Sequence, residues 1–109
     1  MRLGLDWDGT ISCYGPELSL LARHAVRVVV ITVNDEITVA RVAEMLGTDT
    51  EFIDVVICPD EHIERYHMWK AETCSALRID LMIDDDARVA AACWAAGVPA
   101  LHVVERWPR

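Results

Sequence analysis

The sequence predicts an α/β fold in which a parallel β-sheet is covered by helices on both faces. Five short apolar segments alternate with stretches of helical spacing along the 109 residues, a pattern typical of parallel sheets. Residues 27–33 are β-branched almost throughout and continuous rather than alternating, which indicates a strand buried on both faces. Polar residues follow several of the apolar segments directly, as in sheets whose carboxyl edge binds a ligand.

The end of the first strand and the start of the first helix are predicted from the positions of a glycine and a proline. Residues 2–6 form the strand, and a turn at Gly9 ends it. Residues 12–16 are predicted to be a loop, because Pro16 suits the first position of a helix, where an N–H group has no partner in any case. That helix is expected to run from the next residue to about His24.

The second strand, residues 27–33, is followed by a second helix and a third strand. Asn34 or Asp35 is expected to cap this helix, because short polar side chains accept hydrogen bonds from its first N–H groups. Apolar residues at helical spacing continue to Gly47, which favours the left-handed conformation that ends many helices. Residues 52–57 then form the third strand.

The last part of the chain repeats the alternation. Residues 60–78 are predicted to be mostly helical, as one helix or two, with Asp60 as a candidate cap. Residues 79–83 form a fourth strand that runs directly into three aspartates. Residues 87–96 form an alanine-rich helix, and residues 100–104 form a short last strand.

Length and composition restrict the class of protein. The chain is expected to form one domain over residues 1–109, and its 53% hydrophobic residues are enough for a buried core. No apolar run approaches the ~20 residues that span a membrane, and the N-terminus lacks a basic and apolar leader, so a cytoplasmic location is expected. The net charge of −8 disfavours nucleic acid and anionic membranes, because those surfaces bind clustered Lys and Arg.

The spacing of the cysteines argues for a structural role, whereas the position of the single lysine argues for a functional one. Cys13, Cys58, Cys74 and Cys93 show no C-x-x-C or paired spacing, so reduced thiols packed in the core are expected rather than a zinc site or disulfides. Lysine occurs once, at Lys70, and every other basic side chain is an arginine. A single lysine in a helix is often only a solvated side chain, but its place before the fourth strand favours a function.

Two carboxylates one residue apart, Asp6 and Asp8, follow the first strand. Acids this close repel each other unless a cation or a shared proton lies between them. A chemical site is therefore favoured, with a simple acidic loop as the alternative. A calcium-binding loop is disfavoured, because the position that requires glycine in such loops is occupied by Ile11.

Further polar residues fall at other predicted strand ends. Thr32 and Asn34 end the second strand, and Asp84 to Asp86 end the fourth. Lys70 lies in the helical segment before the fourth strand, where it is placed to reach the same edge of the sheet. In open α/β sheets ligands bind at this edge, where the strand order reverses.

These segments resemble, in order, the four motifs of the haloacid dehalogenase superfamily of phosphohydrolases. That superfamily has a strand ending in D-x-D-x-T, a strand ending in Thr or Ser, a lysine before the fourth strand, and a strand ending in paired acids. The matching residues are Asp6-Trp7-Asp8-Gly9-Thr10, Val28 to Thr32, Lys70, and Leu81 to Asp85. The resemblance covers nearly all of the chain and implies a three-layer, doubly wound, Rossmann-like parallel sheet of five strands in the order 3-2-1-4-5.

The resemblance implies a phosphomonoester hydrolase that works through an aspartyl-phosphate. Asp6 would be the nucleophile, and Asp8 the general acid that protonates the leaving oxygen and then the base that activates water. Mg²⁺ would be held by the Asp6 carboxylate, the backbone carbonyl of Asp8 and the Asp84 carboxylate. Asp85 would complete this metal site by orienting Lys70 or a metal-bound water.

The resemblance also implies how a phosphate would be bound. Lys70 would balance the acids and keep the nucleophile ionised. Thr32 would donate its hydroxyl to a phosphoryl oxygen, assisted by backbone N–H groups near Trp7 and Val33. The Trp7 side chain fits either core packing or a pocket wall, and Asp86 is expected to cap the following helix.

The segments between the motifs are too short for a cap domain, so the chain resembles a capless member. An open site suits a phosphate on a large molecule, or one that a second subunit covers. Phosphoprotein, sugar phosphate and nucleotide all stay open as substrates. Two alternatives also stay open: a non-catalytic protein that keeps the fold to bind metal or phosphate, and, less favoured, a receiver-like signalling domain.

Overall fold

A five-stranded, all-parallel sheet forms the centre of the computed structural model, which describes residues 1–105. The strands are β1 (Arg2–Leu5), β2 (Arg27–Thr32), β3 (Ile53–Ile57), β4 (Leu81–Asp84) and β5 (Ala100–His102). Their order is β3-β2-β1-β4-β5, which confirms the predicted Rossmann-like architecture. The tail at residues 106–109, for which the sequence gives no structural prediction, lies outside the described residues.

Within residues 1–105, four α-helices cover the two faces of this sheet. They are α1 (Ser12–Ala22), α2 (Val39–Leu46), α3 (Tyr66–Ala76) and α4 (Ala87–Ala95). Val28 and Val30 of β2 pack in one core cluster with residues of α1 and α2, whereas Val29 and Ile31 pack in a second cluster with residues of α3 and α4. Because side chains alternate along a strand, the two clusters lie on opposite faces. β2 is therefore buried on both sides, as its continuous apolar sequence predicts.

The first helix begins earlier than predicted. Residues 12–16 are helical rather than a loop, and Pro16 lies inside α1 instead of at its first position. Tyr14 has non-helical dihedral angles (φ −124°, ψ 28°), so a kink separates the first turn from the rest of the helix. This kink accommodates the proline, which would otherwise clash with the turn before it.

The prediction that Asn34 or Asp35 caps the second helix is wrong. α2 begins at Val39, and its cap is Thr38, whose hydroxyl accepts a hydrogen bond from the Arg41 N–H group at 3.2 Å. The side chain of Asn34 is engaged elsewhere, since its Oδ1 atom accepts a hydrogen bond from the Glu36 N–H group. The predicted end of this helix at Gly47 is confirmed, with φ 62°.

Residues 60–78 form two pieces rather than one helix. A 3₁₀ helix spans Asp60–Arg65, with Pro59 rather than Asp60 at its N-cap position, and α3 follows directly. The predicted fourth strand starts late, at Leu81, because the Ile79 N–H group bonds instead to the Cys74 carbonyl at the end of α3 (2.9 Å). The last strand is two residues shorter than predicted.

No disulfide joins cysteines within residues 1–105, and Cys58, Cys74 and Cys93 are buried. This agrees with the prediction of reduced thiols that pack as small core residues.

Candidate active site

The polar strand ends meet in a cavity of about 210 Å³ at the carboxyl edge of the sheet. β1 and β4, the neighbours between which the strand order reverses, contribute their ends to it, as expected for a ligand site in an open α/β sheet. The lining residues are Asp6, Asp8, Val33, Tyr66, Lys70, Asp84, Asp85 and Asp86. The sequence predicts all of them as site residues except Tyr66 and Asp86.

A tight turn after β1 presents the first two acids. Residues Trp7–Ile11 form a single irregular helical turn in which Gly9 takes the left-handed conformation, with φ 75°. The Gly9 N–H group donates a hydrogen bond to Ser12 Oγ at 3.0 Å, which ties the turn to α1. Asp6 consequently stays in the interior, only 5% exposed, whereas Asp8 is exposed at the rim.

Gly9 also gives the Asp85 carboxylate room to enter the site. A Cβ atom at Gly9 would lie 2.1 Å from Asp85 Oδ2, far inside van der Waals contact. Gly47 has a similar dihedral angle (φ 62°), but a Cβ atom there would have no neighbour within 4 Å. A side chain at either glycine would strain the backbone, but only a side chain at Gly9 would also displace Asp85. Comparing substitutions at the two positions therefore separates the two effects.

We expect Gly9→Ala to weaken divalent-cation binding about tenfold or more, because Asp85 has to move away from the other acids. Gly47→Ala, the matched control, should cost about 1 to 2 kcal/mol of stability from the left-handed backbone and leave cation binding unchanged. Calorimetric titration with Mg²⁺, together with thermal unfolding, checks both. Equal cation affinities in the two variants would contradict a contribution of Asp85 to cation binding.

Lys70 connects two of the acids inside the protein. Its ammonium group donates hydrogen bonds to Asp6 Oδ1 at 2.8 Å and to Asp84 Oδ2 at 2.9 Å. The three residues are between 1% and 5% exposed, so this ion-pair triad is almost completely removed from water. The predicted reach of Lys70 to the carboxyl edge is confirmed.

One lysine does not balance the buried acids. Burial raises the pKa of Asp6 to about 8, and although Lys70 lowers it, the nearby Asp84 charge raises it further. Burial likewise raises the pKa of Asp84 in spite of Lys70. Desolvation acts against the Lys70 ammonium, but the attraction of Asp6 and Asp84 outweighs it and raises the pKa of Lys70. A further positive charge is needed for both acids to be ionised at neutral pH.

The donor set suits a divalent cation of the Mg²⁺ type. Asp6, Asp84 and Asp85 each offer a carboxylate oxygen, and these oxygens lie within 4.8 Å of one another. Oxygen-only ligands favour Mg²⁺ or Ca²⁺ over zinc. The sequence-based expectation is that Asp85 orients Lys70 or a metal-bound water. The Lys70 ammonium group instead bonds to the other two acids, Asp6 and Asp84. The Asp85 carboxylate lies against Gly9, beside the Asp6 carboxyl group. Asp85 is therefore placed with Asp6 and Asp84 as a candidate ligand, rather than as a partner of Lys70.

The raised pKa of Asp6 predicts an unusual pH dependence of stability in metal-free buffer. Between the ordinary pKa of 3.8 and about 8, the native Asp6 holds a proton that the unfolded chain has released. The free energy of unfolding should therefore fall as the pH rises through this window, and Mg²⁺, which binds the ionised form, should reduce the fall. Denaturant titrations from about pH 5 to 8 check this, with Asp6→Asn as the control that should flatten the curve. A metal-free stability that increases over this range would contradict it.

The predicted phosphate-binding residues are placed differently from one another. Val33 lines the cavity. Thr32 is fully buried, and its Oγ1 atom accepts a hydrogen bond from the Asn34 N–H group at 3.0 Å, which leaves the hydroxyl proton to be donated elsewhere. The Trp7 side chain is 7% exposed and packs in the core, so only its backbone is placed to contribute to the site.

A hydrogen-bonded network of Tyr66, Asp86 and Arg88 lies at the rim of the cavity, between the start of α3 and the start of α4. The Tyr66 hydroxyl donates a hydrogen bond to Asp86 Oδ2 and accepts one from Arg88, whose guanidinium group lies 5.4 Å from the Tyr66 ring centroid. Asp86 also caps α4 as predicted, by accepting the Arg88 N–H group at 2.9 Å. Tyr66 precedes Lys70 by one helical turn, and this i, i+4 spacing is the sequence signal that places both on one face of α3.

Comparisons with protein-family models, with curated proteins and with solved structures found no match for this chain. Within residues 1–105, none of the helices has the length and apolar character needed to cross a membrane.

Proposed function

We propose that this protein is a Mg²⁺-dependent phosphomonoester hydrolase of the haloacid dehalogenase type. The observation that carries the proposal is the buried triad in which Lys70 joins Asp6 and Asp84 at the reversal of the strand order. A structural ion pair would need only one acid for one base. The excess of acid at a ligand-binding edge is better explained by a site that binds a cation together with an anionic substrate.

Asp6 is the proposed nucleophile. One of its carboxylate oxygens attacks phosphorus, the bond from phosphorus to the leaving oxygen breaks, and the electron pair stays on that oxygen. The Asp8 carboxyl group gives its proton to the leaving oxygen. Lys70 offsets the charge of the acids, and its burial strengthens that interaction. Asp6, the Asp8 carbonyl, Asp84 and Asp85 would hold the Mg²⁺ ion, which supplies charge stabilisation for the transferring phosphoryl group.

The second half of the reaction returns the protein to its starting state. Asp8, now a carboxylate, takes a proton from a water molecule as the water oxygen attacks phosphorus. The bond between phosphorus and the Asp6 oxygen breaks, releasing inorganic phosphate and the Asp6 carboxylate. The exposed position of Asp8 at the rim lets it meet first the leaving group and then the water.

The open cavity bears on the class of substrate. Only residues 58–65 separate β3 from α3, and residues 6–11 separate β1 from α1, so neither connection in the described chain contains a cap domain. Such a site suits a phosphate on a macromolecule, or a small phosphate ester over which a second subunit closes. The net charge of −8 counts against nucleic acid as that macromolecule.

The strand order argues against the receiver-like alternative. Receiver domains have the flavodoxin-like order 2-1-3-4-5, whereas this sheet has the order 3-2-1-4-5. Lys70 also reaches the acids from α3, before β4, rather than from a position after the last strand.

A phosphatase screen tests the proposal. Sugar phosphates, nucleotides, a phosphopeptide, a 3′-phosphoryl oligonucleotide and an aryl phosphate are incubated with the protein in Mg²⁺ and in EDTA. We expect Mg²⁺-dependent release of inorganic phosphate from at least one monoester, and binding of beryllofluoride against Asp6. A blank screen in a protein that still binds Mg²⁺ would refute the enzyme and favour the non-catalytic binding protein.

A further inference from the structure

We propose that Asn34 is the positioning residue for Asp8, the general acid and base of the proposed reaction, an inference that rests on the proposed function. The Asn34 Nδ2 group donates a hydrogen bond to Asp8 Oδ2 at 3.2 Å. The two residues lie on separate loops, one after β1 and one after β2, and this bond joins the two loops beside the cavity that Asp8 and Val33 line.

The orientation of the Asn34 amide is determined by its other contacts. The amide Oδ1 atom accepts a hydrogen bond from the Glu36 N–H group at 3.0 Å. The backbone N–H group of Asn34 donates to Thr32 Oγ1 at 3.0 Å and anchors the residue itself. A rotated amide would turn its NH₂ group toward the Glu36 donor and lose that bond. The NH₂ group is therefore held toward Asp8, and Asn34 is half-buried while Asp8 is exposed.

This contact distinguishes the two oxygens of Asp8. Because Oδ2 accepts the Asn34 hydrogen bond, the acidic proton resides on Oδ1 when the carboxyl group is protonated. Oδ1 is then the atom that gives its proton to the leaving oxygen, and the Asn34 Nδ2 group stabilises the carboxylate that remains by donating to its Oδ2 atom. An exposed carboxyl group without this partner would rotate freely and present its proton less often.

The consequence depends on the leaving group. An alkyl phosphate leaves as a strongly basic alkoxide and needs the proton of Asp8, whereas 2,4-dinitrophenyl phosphate leaves as a stable phenolate that needs none. A residue that acts through proton delivery should therefore affect the first ester and spare the second. A residue that only supports the loop or binds phosphate should affect both equally.

Two variants separate these roles. Asn34→Ser keeps a hydroxyl that can accept the Glu36 N–H group but is too short to reach Asp8, and Asn34→Ala removes both contacts. For both variants we expect kcat/KM to fall about tenfold for an alkyl phosphate and less than about twofold for 2,4-dinitrophenyl phosphate. Circular dichroism and thermal unfolding verify that each variant is folded.

Equal losses for the two esters, or no loss for either, would overturn the role of Asn34 while leaving the proposed function intact. A wild-type protein that releases phosphate from neither ester and from no monoester of the screen would overturn the proposed function itself and this inference with it. The two failures are thus distinguished by the wild-type measurement alone.

Discussion

Replacing Asp6 with asparagine should abolish phosphate release and leave the fold at least as stable as that of the wild type. An amide cannot attack phosphorus to form the acyl phosphate, so we expect kcat to fall by at least about 10³-fold. The stability follows from the raised pKa of Asp6, which means that its ionised form is disfavoured in the native state. A neutral side chain of the same shape removes that penalty.

Steady-state hydrolysis of an aryl phosphate in Mg²⁺, combined with denaturant unfolding in EDTA, tests both halves of this expectation. Asp49→Asn is a suitable control, because Asp49 is exposed and lies before β3, at the opposite edge of the sheet. Full turnover by Asp6→Asn would refute the mechanism. A large loss of stability would refute the charge imbalance instead.

Lys70→Met should be the most destabilising substitution in the site. Methionine matches the length of the stem, but it leaves Asp6 and Asp84 buried without the ammonium group that lies 2.8 and 2.9 Å from them. Removing one partner of a buried ion pair costs about 3 to 5 kcal/mol. The loss should be smaller near pH 5, where the raised pKa of Asp6 keeps that acid protonated, and larger near pH 8.

Arg27→Met is the matched control for Lys70→Met. Arg27 pairs with Asp54 at 2.5 Å, but these side chains are 35% and 46% exposed, so we expect a loss below about 1 kcal/mol. Urea titrations of both variants in EDTA give the comparison. Added Mg²⁺ should reduce the loss of Lys70→Met relative to the wild type and leave the loss of Arg27→Met relative to the wild type unchanged. Similar losses of stability in the two variants would show that burial of Asp6 and Asp84 does not depend on the charge of Lys70.

Short-range patterns predicted the elements of this protein well where one physical effect dominated. The continuous apolar run of β2 indicated burial on both faces, and Gly47 ended α2 because glycine adopts positive φ without strain. The prediction failed where a residue of a type that caps helices uses its side chain for other hydrogen bonds. Asn34 has the chemistry of a cap, yet its side chain is bound to Asp8 and Glu36, and the helix is capped instead by Thr38, four residues later.

The sequence by itself determined the α/β alternation, the placement of acids at strand ends and the single lysine before the fourth strand, because these follow from hydrophobic periodicity and chain order. The strand order was implied by the family resemblance and not by any local pattern. Only the tertiary structure decided that Lys70 touches both Asp6 and Asp84, that Asp85 enters beside Gly9, and that Tyr66 and Asn34 belong to the site. These contacts join residues far apart in the chain, and the depth at which the fold buries them sets the charge of the acids.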